Sequence, residues 1–268
     1  MIVKVLVENT AVSGEYGKVH GLCMYIETGK HKILFDLGPD KLFLENAEKM
    51  GVSIGDVDTV VISHGHYDHG GALGLFLQRN RKAKVYLHKK AFDRHFSKAF
   101  CLYINIGLDS SLAGNERIVF TEGNLKLDDE LTIITDVKER ELYPLSNNNL
   151  YMLDGRKKVR DDFSHEQSLL IHEDEHKVLL AGCAHCGIVN ILNRAKRDLG
   201  GDVTHVIGGF HIWKDKSPET VRDLAQRLKV RDILYYTCHC TGQDNYALLR
   251  EEMKEQIEYL STGTILRI

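Results

Sequence analysis

Four side chains able to bind a metal ion fall within six residues, His64-x-His66-x-Asp68-His69, inside the run His64-Gly65-His66-Tyr67-Asp68-His69-Gly70-Gly71. Imidazole nitrogen and carboxylate oxygen suit Zn²⁺, Mn²⁺ or Fe. A single short loop cannot wrap four ligands around one ion without severe strain. Alternating positions point to different sides, so His64 and His66 can serve one ion while Asp68 and His69 serve a second. Each ion then needs ligands from elsewhere. His185, His211 and His239, each in its own Gly- or Cys-containing loop, are the available candidates.

The cysteines raise a second chemistry. Of six, at 23, 101, 183, 186, 238 and 240, four flank His185 or His239. A disulfide framework usually belongs to a much shorter exported chain, so metal, redox or packing roles fit better. Buried thiols beneath the ligand loops are the plainer reading, because unoxidised cysteine is commonly buried. The alternative is a soft ligand set that recruits iron, which would make this a redox or electron-transfer protein. A metal-binding scaffold without catalysis is a third reading.

The elements that must hold these residues follow from apolar patterning. Ile2–Val7 reads as a strand, and Leu22–Glu27 with Ile33–Phe35 as a hairpin around Thr28-Gly29-Lys30. Lys41–Met50 has helical spacing and is closed by Gly51. Thr59–Ile62 is a β-branched run feeding the His-rich loop, followed by a helix over Ala72–Gln78, a strand over Lys84–Leu87 and a helix over Lys90–Lys98. Arg117–Phe120 and Leu131–Thr135 read as strands. Residues 101–116 and 141–165, rich in Asn, Ser and charge, read as long surface loops that shape an entrance.

Order returns with a hairpin, Ser168–His172 and Lys177–Ala181, before Gly182-Cys183-Ala184-His185-Cys186-Gly187 and a helix from Ile188 to about Asp198. Val203–Ile207 precedes Gly208-Gly209-Phe210-His211. Pro218–Leu228 is helical with Ser217 as its N-cap. Asp232–Tyr236 precedes Cys238-His239-Cys240-Thr241-Gly242, then a helix from about Gln243 to Glu258. Every His-bearing motif thus follows a strand, and α/β folds gather their sites at the carboxyl ends of strands. His20, His31, His88, His95, His172, His176 and His205 lack this setting and read as ordinary surface or packed residues. His165 borders a long loop and is compatible with either role.

Composition fixes the background. The 268 residues carry 35 Lys+Arg against 38 Asp+Glu, a net charge of −3, and 43% are apolar. That supports a sizeable core and argues against disorder. No long basic run offers the footprint of a nucleic-acid partner. No apolar stretch approaches the ~20 residues needed to span a bilayer, and the start lacks a secretory signal, so a cytoplasmic location is expected. Three prolines and no Gly- and Ser-rich linker suggest one domain over 1–268.

Asp36 in Ile33-Leu34-Phe35-Asp36-Leu37-Gly38, then His64-x-His66-x-Asp68-His69, His185 and finally His239 together resemble the metallo-β-lactamase superfamily. The ordered set covers residues from about 20 to 245. Gly182-Cys183-x-His185, Gly208-Gly209-Phe210-His211 and His239-Cys240-Thr241-Gly242 resemble its 7,8-dihydropterin-6-methyl-4-(β-D-ribofuranosyl)aminobenzene 5′-phosphate synthase-like branch.

The resemblance implies an α/β fold, a four-layer αβ/βα sandwich of two mixed sheets flanked by helices, with two divalent metal ions. Zn is the first expectation, with Mn or Fe as alternatives. His64, His66 and His185 would bind one ion, and Asp68, His69 and His239 the other. Asp36 would orient the His-rich loop, and Cys183 and Cys240 would sit behind the ligands. Where the family pattern has a bridging Asp, this chain has Gly208-Gly209-Phe210-His211. His211 either replaces that carboxylate or meets the substrate. Asp68 would also handle the proton of the attacking water, and the Thr241 and Gly242 amides would bind a phosphate at a helix start. The implied activity is hydrolysis or group transfer on an anionic, phosphate-bearing and pterin-related small molecule.

Overall fold

The computed structural model describes every residue except Gly200, Lys216 and Arg231. In chain order the first strands are β1 (Ile2–Val7), β2 (Cys23–Glu27), β3 (Lys32–Phe35), β4 (Thr59–Val61), β5 (Lys84–His88) and β6 (His95–Ala99). Next come β7 (Leu102–Asn105), β8 (Ile118–Thr121), β9 (Leu125–Lys126), β10 (Leu131–Ile134), β11 (Leu150–Asp154) and β12 (Lys157–Arg160). The last six are β13 (Ser168–Glu173), β14 (His176–Ala181), β15 (His205–Gly208), β16 (Leu234–Thr237), β17 (Ile257–Tyr259) and β18 (Ile265–Arg267). The helices are α1 (Leu42–Lys49), α2 (Tyr67–Gly70), α3 (Leu73–Arg79), α4 (Ile188–Leu199), α5 (Pro218–Lys229) and α6 (Gln243–Met253).

The chain forms two compact units, each assembled from separated segments. The first comprises residues 1–122, 149–167 and 261–268; the second comprises 123–148 and 168–260. The first unit carries a seven-stranded sheet ordered β18-β1-β2-β3-β4-β5-β8. Its β18-β1-β2-β3 half is antiparallel, and β3-β4-β5-β8 is parallel. The second unit has a seven-stranded sheet ordered β17-β16-β15-β14-β13-β10-β9, parallel from β17 to β14 and antiparallel beyond. The fold class is therefore α/β, with two mixed sheets flanked by helices.

Burial explains the local choices. β4 is buried on both faces, as expected where helices cover a parallel strand. In the first unit, Leu34, Phe43, Val60, Leu73 and Phe76 join one core, so α1 and α3 are anchored by their apolar stripes. In the second, α4 buries Ile188, Ile191, Leu192 and Ala195 at three- and four-residue spacing. α5 begins with Pro218 and is capped by Ser217, whose side chain accepts from the Thr220 N–H.

Two expected surface loops carry more structure than their composition suggests. Residues 102–105 and 150–154 pair with β6, and 157–160 with 150–154, in a four-stranded antiparallel sheet ordered β12-β11-β6-β7. β6 overturns the helix expected over Lys90–Lys98. Lys98 and Lys158 lie over the Tyr103 ring and Arg160 over Tyr151, so cations cover aromatic rings across neighbouring strands. The helix expected to reach Glu258 stops at Met253, because Lys254 turns to φ 54° and Ile257–Tyr259 joins the sheet beside β16. No helix among the described residues is long and apolar enough to cross a membrane.

Candidate metal centres

In the first unit, the parallel strand β4 delivers the chain into the His-rich loop at its carboxyl end. Asp36, directly after β3, is fully buried and takes the left-handed conformation, φ 59°. Its carboxylate accepts from the Ser63 N–H at 2.7 Å, the Ser63 hydroxyl at 2.8 Å and His69 Nδ1 at 2.7 Å. Since Ser63 spends its proton on Asp36, its oxygen accepts from His64 Nδ1 at 2.8 Å. One carboxylate thereby fixes the tautomer of two imidazoles, each with its proton on Nδ1 and its lone pair on Nε2. Metal-binding histidines are ordinarily oriented in this way.

The four motif residues are gathered. The His64 ring centroid lies 4.5 Å from that of His66 and 4.2 Å from that of His69. Asp68, nearly buried, has its Oδ2 3.7 Å from His69 Nε2 and 3.3 Å from the Nε2 of the exposed His20. His20 thus touches a motif residue, although it has no motif of its own.

A further buried cluster in this unit was not legible in the sequence. His66, His95, Asp161 and His165 bring donor atoms within 4.8 Å of one another. His95 Nδ1 donates to Asp161 at 2.8 Å, and the Gly65 N–H donates to His165 Nδ1 at 2.9 Å. His95 therefore belongs to a buried polar network, not to the ordinary packed residues. Its partner Asp161 is 66 positions away, and His165 is 100 from Gly65, so no local pattern announces either contact.

In the second unit, the loops after β14, β15 and β16 carry the other candidates. His185 is buried and its Nδ1 lies 2.8 Å from Asn147 Oδ1, which again puts the proton on Nδ1. Asn147 also donates to the His185 carbonyl at 2.8 Å, locking ring and backbone together. The His211 ring is 4.0 Å from that of His185. His239 is buried in a short turn at the end of β16. Ala184, His211 and His239 all have φ between 50° and 55°, a left-handed strain of the kind that collects at functional loops.

Cysteine chemistry is concentrated in the same loops. Cys183, Cys186, Cys238 and Cys240 are all buried, and no disulfide occurs among the described residues. Cys240 Sγ accepts from the His211 N–H at 3.2 Å and donates to the Cys183 carbonyl at 3.5 Å, bracing the strained His211. Cys183, His211 and Cys240 nevertheless bring ligand atoms within 4.8 Å of one another. The Thr241 and Gly242 amides, expected to receive a phosphate, instead donate to the Cys238 and His239 carbonyls at 3.1 and 3.3 Å. The Thr241 hydroxyl accepts from the Phe210 N–H at 2.9 Å. These groups hold the two loops together.

Burial also sets the titration of the first cluster. His66 is held well below the ordinary imidazole value by burial, then by the like charges of His165 and His95. His165 is lowered too: burial dominates, although Asp161 opposes it. His69 goes the other way, since Asp36 and Asp68 together outweigh the burial that would lower it. Below about pH 6.5 the unfolded chain takes up protons that folded His66 and His165 refuse, so stability must fall with pH. Above it, the contribution of His69 is lost as pH rises through its raised value. Urea melts of metal-free protein should lose stability as pH falls below about 6.5 and again as it rises through the raised value of His69. A flat profile between pH 5 and 6.5 would contradict the buried neutral imidazoles.

Comparison with known proteins agrees with this geometry. The family model described as the metallo-beta-lactamase superfamily matches residues 16–234. An uncharacterized protein of Methanocaldococcus jannaschii is 27% identical over 268 residues, covering 100% of both chains. The 7,8-dihydropterin-6-methyl-4-(beta-D-ribofuranosyl)-aminobenzene-5'-phosphate synthase of the same organism is 27% identical over 267 residues, covering 92% of this chain and 90% of that protein. The crystal structure of Tm1679, described as a metal-dependent hydrolase of the beta-lactamase superfamily, superposes with a TM-score of 0.85 at 27% identity. It covers 100% of this chain and 99% of that one.

Proposed function

The chain belongs to the metallo-β-lactamase superfamily, and on that premise we propose a metal-dependent hydrolase or transferase acting on a phosphate-bearing, pterin-related small molecule. The ligand set is His64, His66, Asp68, His69, His185 and His239, for two divalent ions with Zn²⁺ as the first choice. The carrying observation is the Asp36–Ser63–His64–His69 chain, which presents two imidazoles as Nε2 donors. The Asn147–His185 pair adds a third. This donor set fits a borderline divalent cation. The pterin-related substrate class rests on the likeness to the Methanocaldococcus jannaschii synthase.

Bound cations supply Lewis acidity, lowering the pKa of water and neutralising charge on a phosphoryl or carbonyl oxygen. The protein's own contribution is orientation and proton handling. Asp36 holds His64 and His69 in one tautomer, so neither ring reorients on binding. Asp68 offers a carboxylate oxygen that can receive the proton of an attacking water. His211, at the position of the family's bridging carboxylate, offers an imidazole donor or acceptor toward substrate. Losing that negative ligand leaves the site more positive, which favours an anionic substrate.

A second reading has one specific observation behind it: the proximity of Cys183, His211 and Cys240. Thiolates there would recruit iron and give a redox protein on the same fold. Metal analysis with a visible spectrum, on protein purified anaerobically without chelators, separates the two. The expected result is about two equivalents of colourless Zn or Mn per chain. Iron with bands bleached by reductant would overturn the hydrolase-or-transferase reading in favour of the second.

A further inference from the structure

The strap of residues 161–167 runs along the His-rich loop and bonds to its backbone at three sites, in residues 62, 63 and 65. Gln167 Nε2 donates to the Ile62 carbonyl at 2.8 Å, and the Gln167 N–H donates to the Ser63 carbonyl at 2.8 Å. His165 Nδ1 accepts from the Gly65 N–H at 2.9 Å. Gly65 lies between His64 and His66, so the strap grips the peptide that spaces them. The strap is itself fixed. Thr121 donates to Gln167 Oε1 at 2.6 Å, and the Asp161 carboxylate accepts from the Phe163 N–H at 2.8 Å.

Four buried donors within 4.8 Å have the dimensions of a metal site, but the hydrogen bonds argue for another use. Because the Gly65 N–H points at His165 Nδ1, that nitrogen carries no proton. The proton of the neutral ring therefore sits on Nε2, 3.3 Å from Asp161 Oδ1. His95 donates its own Nδ1 proton to Asp161 Oδ2 at 2.8 Å. An Nε2 that must keep its proton cannot also give a lone pair to a cation. The carboxylate is already used by two imidazoles and one amide, as buried carboxylates require.

We infer that Asp161, His95 and His165 form a metal-free clamp that positions His66 and the Gly65 peptide for metal binding. Asp161 sets the tautomer of His165, His165 holds Gly65, and His95 packs beneath it. A Cβ on Gly65 would lie 2.9 Å from His95 Nε2. These are positioning residues, and the inference rests on the reading of His66 as a ligand.

The test measures Co²⁺ affinity by chelator competition, Co²⁺ stoichiometry and the visible Co²⁺ spectrum in full-length protein. The variants are His165→Ala, His165→Asn, Asp161→Asn and His66→Ala, each checked for folding by circular dichroism. His165→Ala should weaken Co²⁺ binding by about 10–100-fold and alter the band shape, since partners that orient ligands typically carry that much. His165→Asn, whose side-chain oxygen can accept from Gly65, should recover most of the affinity. Asp161→Asn keeps shape and volume while removing the charge, and should shift the spectrum even if His165→Ala does not fold.

If His165→Ala and Asp161→Asn keep wild-type affinity and spectrum while His66→Ala loses Co²⁺, the clamp is wrong and the ligand reading stands. Loss of one whole equivalent with the remaining spectrum unchanged would make the cluster a metal site and also overturn the clamp. If His66→Ala retains Co²⁺, the ligand reading fails and takes the clamp with it.

Discussion

Replacing His66 by Ala is expected to abolish turnover and to weaken metal binding by at least roughly 100-fold, more than loss of an orienting partner costs. The side chain is buried, its ring lies against that of His64, and burial keeps it below the ordinary imidazole pKa. A neutral imidazole in that place is ready to bind a cation without first losing a proton. Metal content after dialysis, and activity against phosphoester and pterin substrates, should fall together. Retained activity with full metal content would remove the His-rich loop from the proposed chemistry. Because His→Ala also leaves a cavity, Tm of the metal-free variant must be measured beside these. A small drop in Tm with complete loss of metal is the informative pattern.

The second large effect is expected from Gly65→Ala, a change of one methyl group. An added Cβ would lie 2.3 Å from the Ala91 carbonyl oxygen and 3.0 Å from its carbon. Those are backbone atoms, so the contact cannot be relieved by turning a side chain. Overpacking of this kind costs about 1–3 kcal/mol, and in a chain of this size each kcal/mol lowers Tm by roughly 2–4 °C. Relief requires the loop to lift off Ala91, which stretches the bond from the Gly65 N–H to His165. Gly65→Ala should therefore lose metal affinity as well as thermal stability. A variant with unchanged Tm and metal affinity would mean that the loop is not held against Ala91 as described.

Much of this architecture was legible in the sequence where its cause is local. The motif His64–His69 concentrates its information within six residues, and α1, α3, α4 and α5 lie close to their expected spans because apolar spacing, with the Ser217 cap in α5, specifies them. The strand-then-motif order also held, since β4, β14, β15 and β16 each end at a His-bearing loop. What stayed hidden depends on distant partners. β7, β11 and β12 have no fully buried residue, so their strand character comes from pairing, β7 and β11 with β6 and β12 with β11, and from lysines lying over tyrosines. Asp161, His95 and His165 look ordinary singly and acquire a role only when the fold brings them under Gly65. The Thr241 and Gly242 amides donate to the Cys238 and His239 carbonyls, a tight turn that the sequence pattern of a helix start does not announce.

The discontinuous make-up of the first unit bears on any attempt at dissection. Residues 1–122 contain the whole His-rich loop, yet Asp161, His165 and Gln167 come from 149–167, and β18 comes from 261–268. A fragment cut after residue 122 would keep its metal-binding motif while leaving the buried His95 without the carboxylate that receives its proton. Such a fragment would be a poor surrogate for the intact protein in metal titrations. Complementation with a peptide covering 149–167 is the natural way to ask how much order that missing piece supplies.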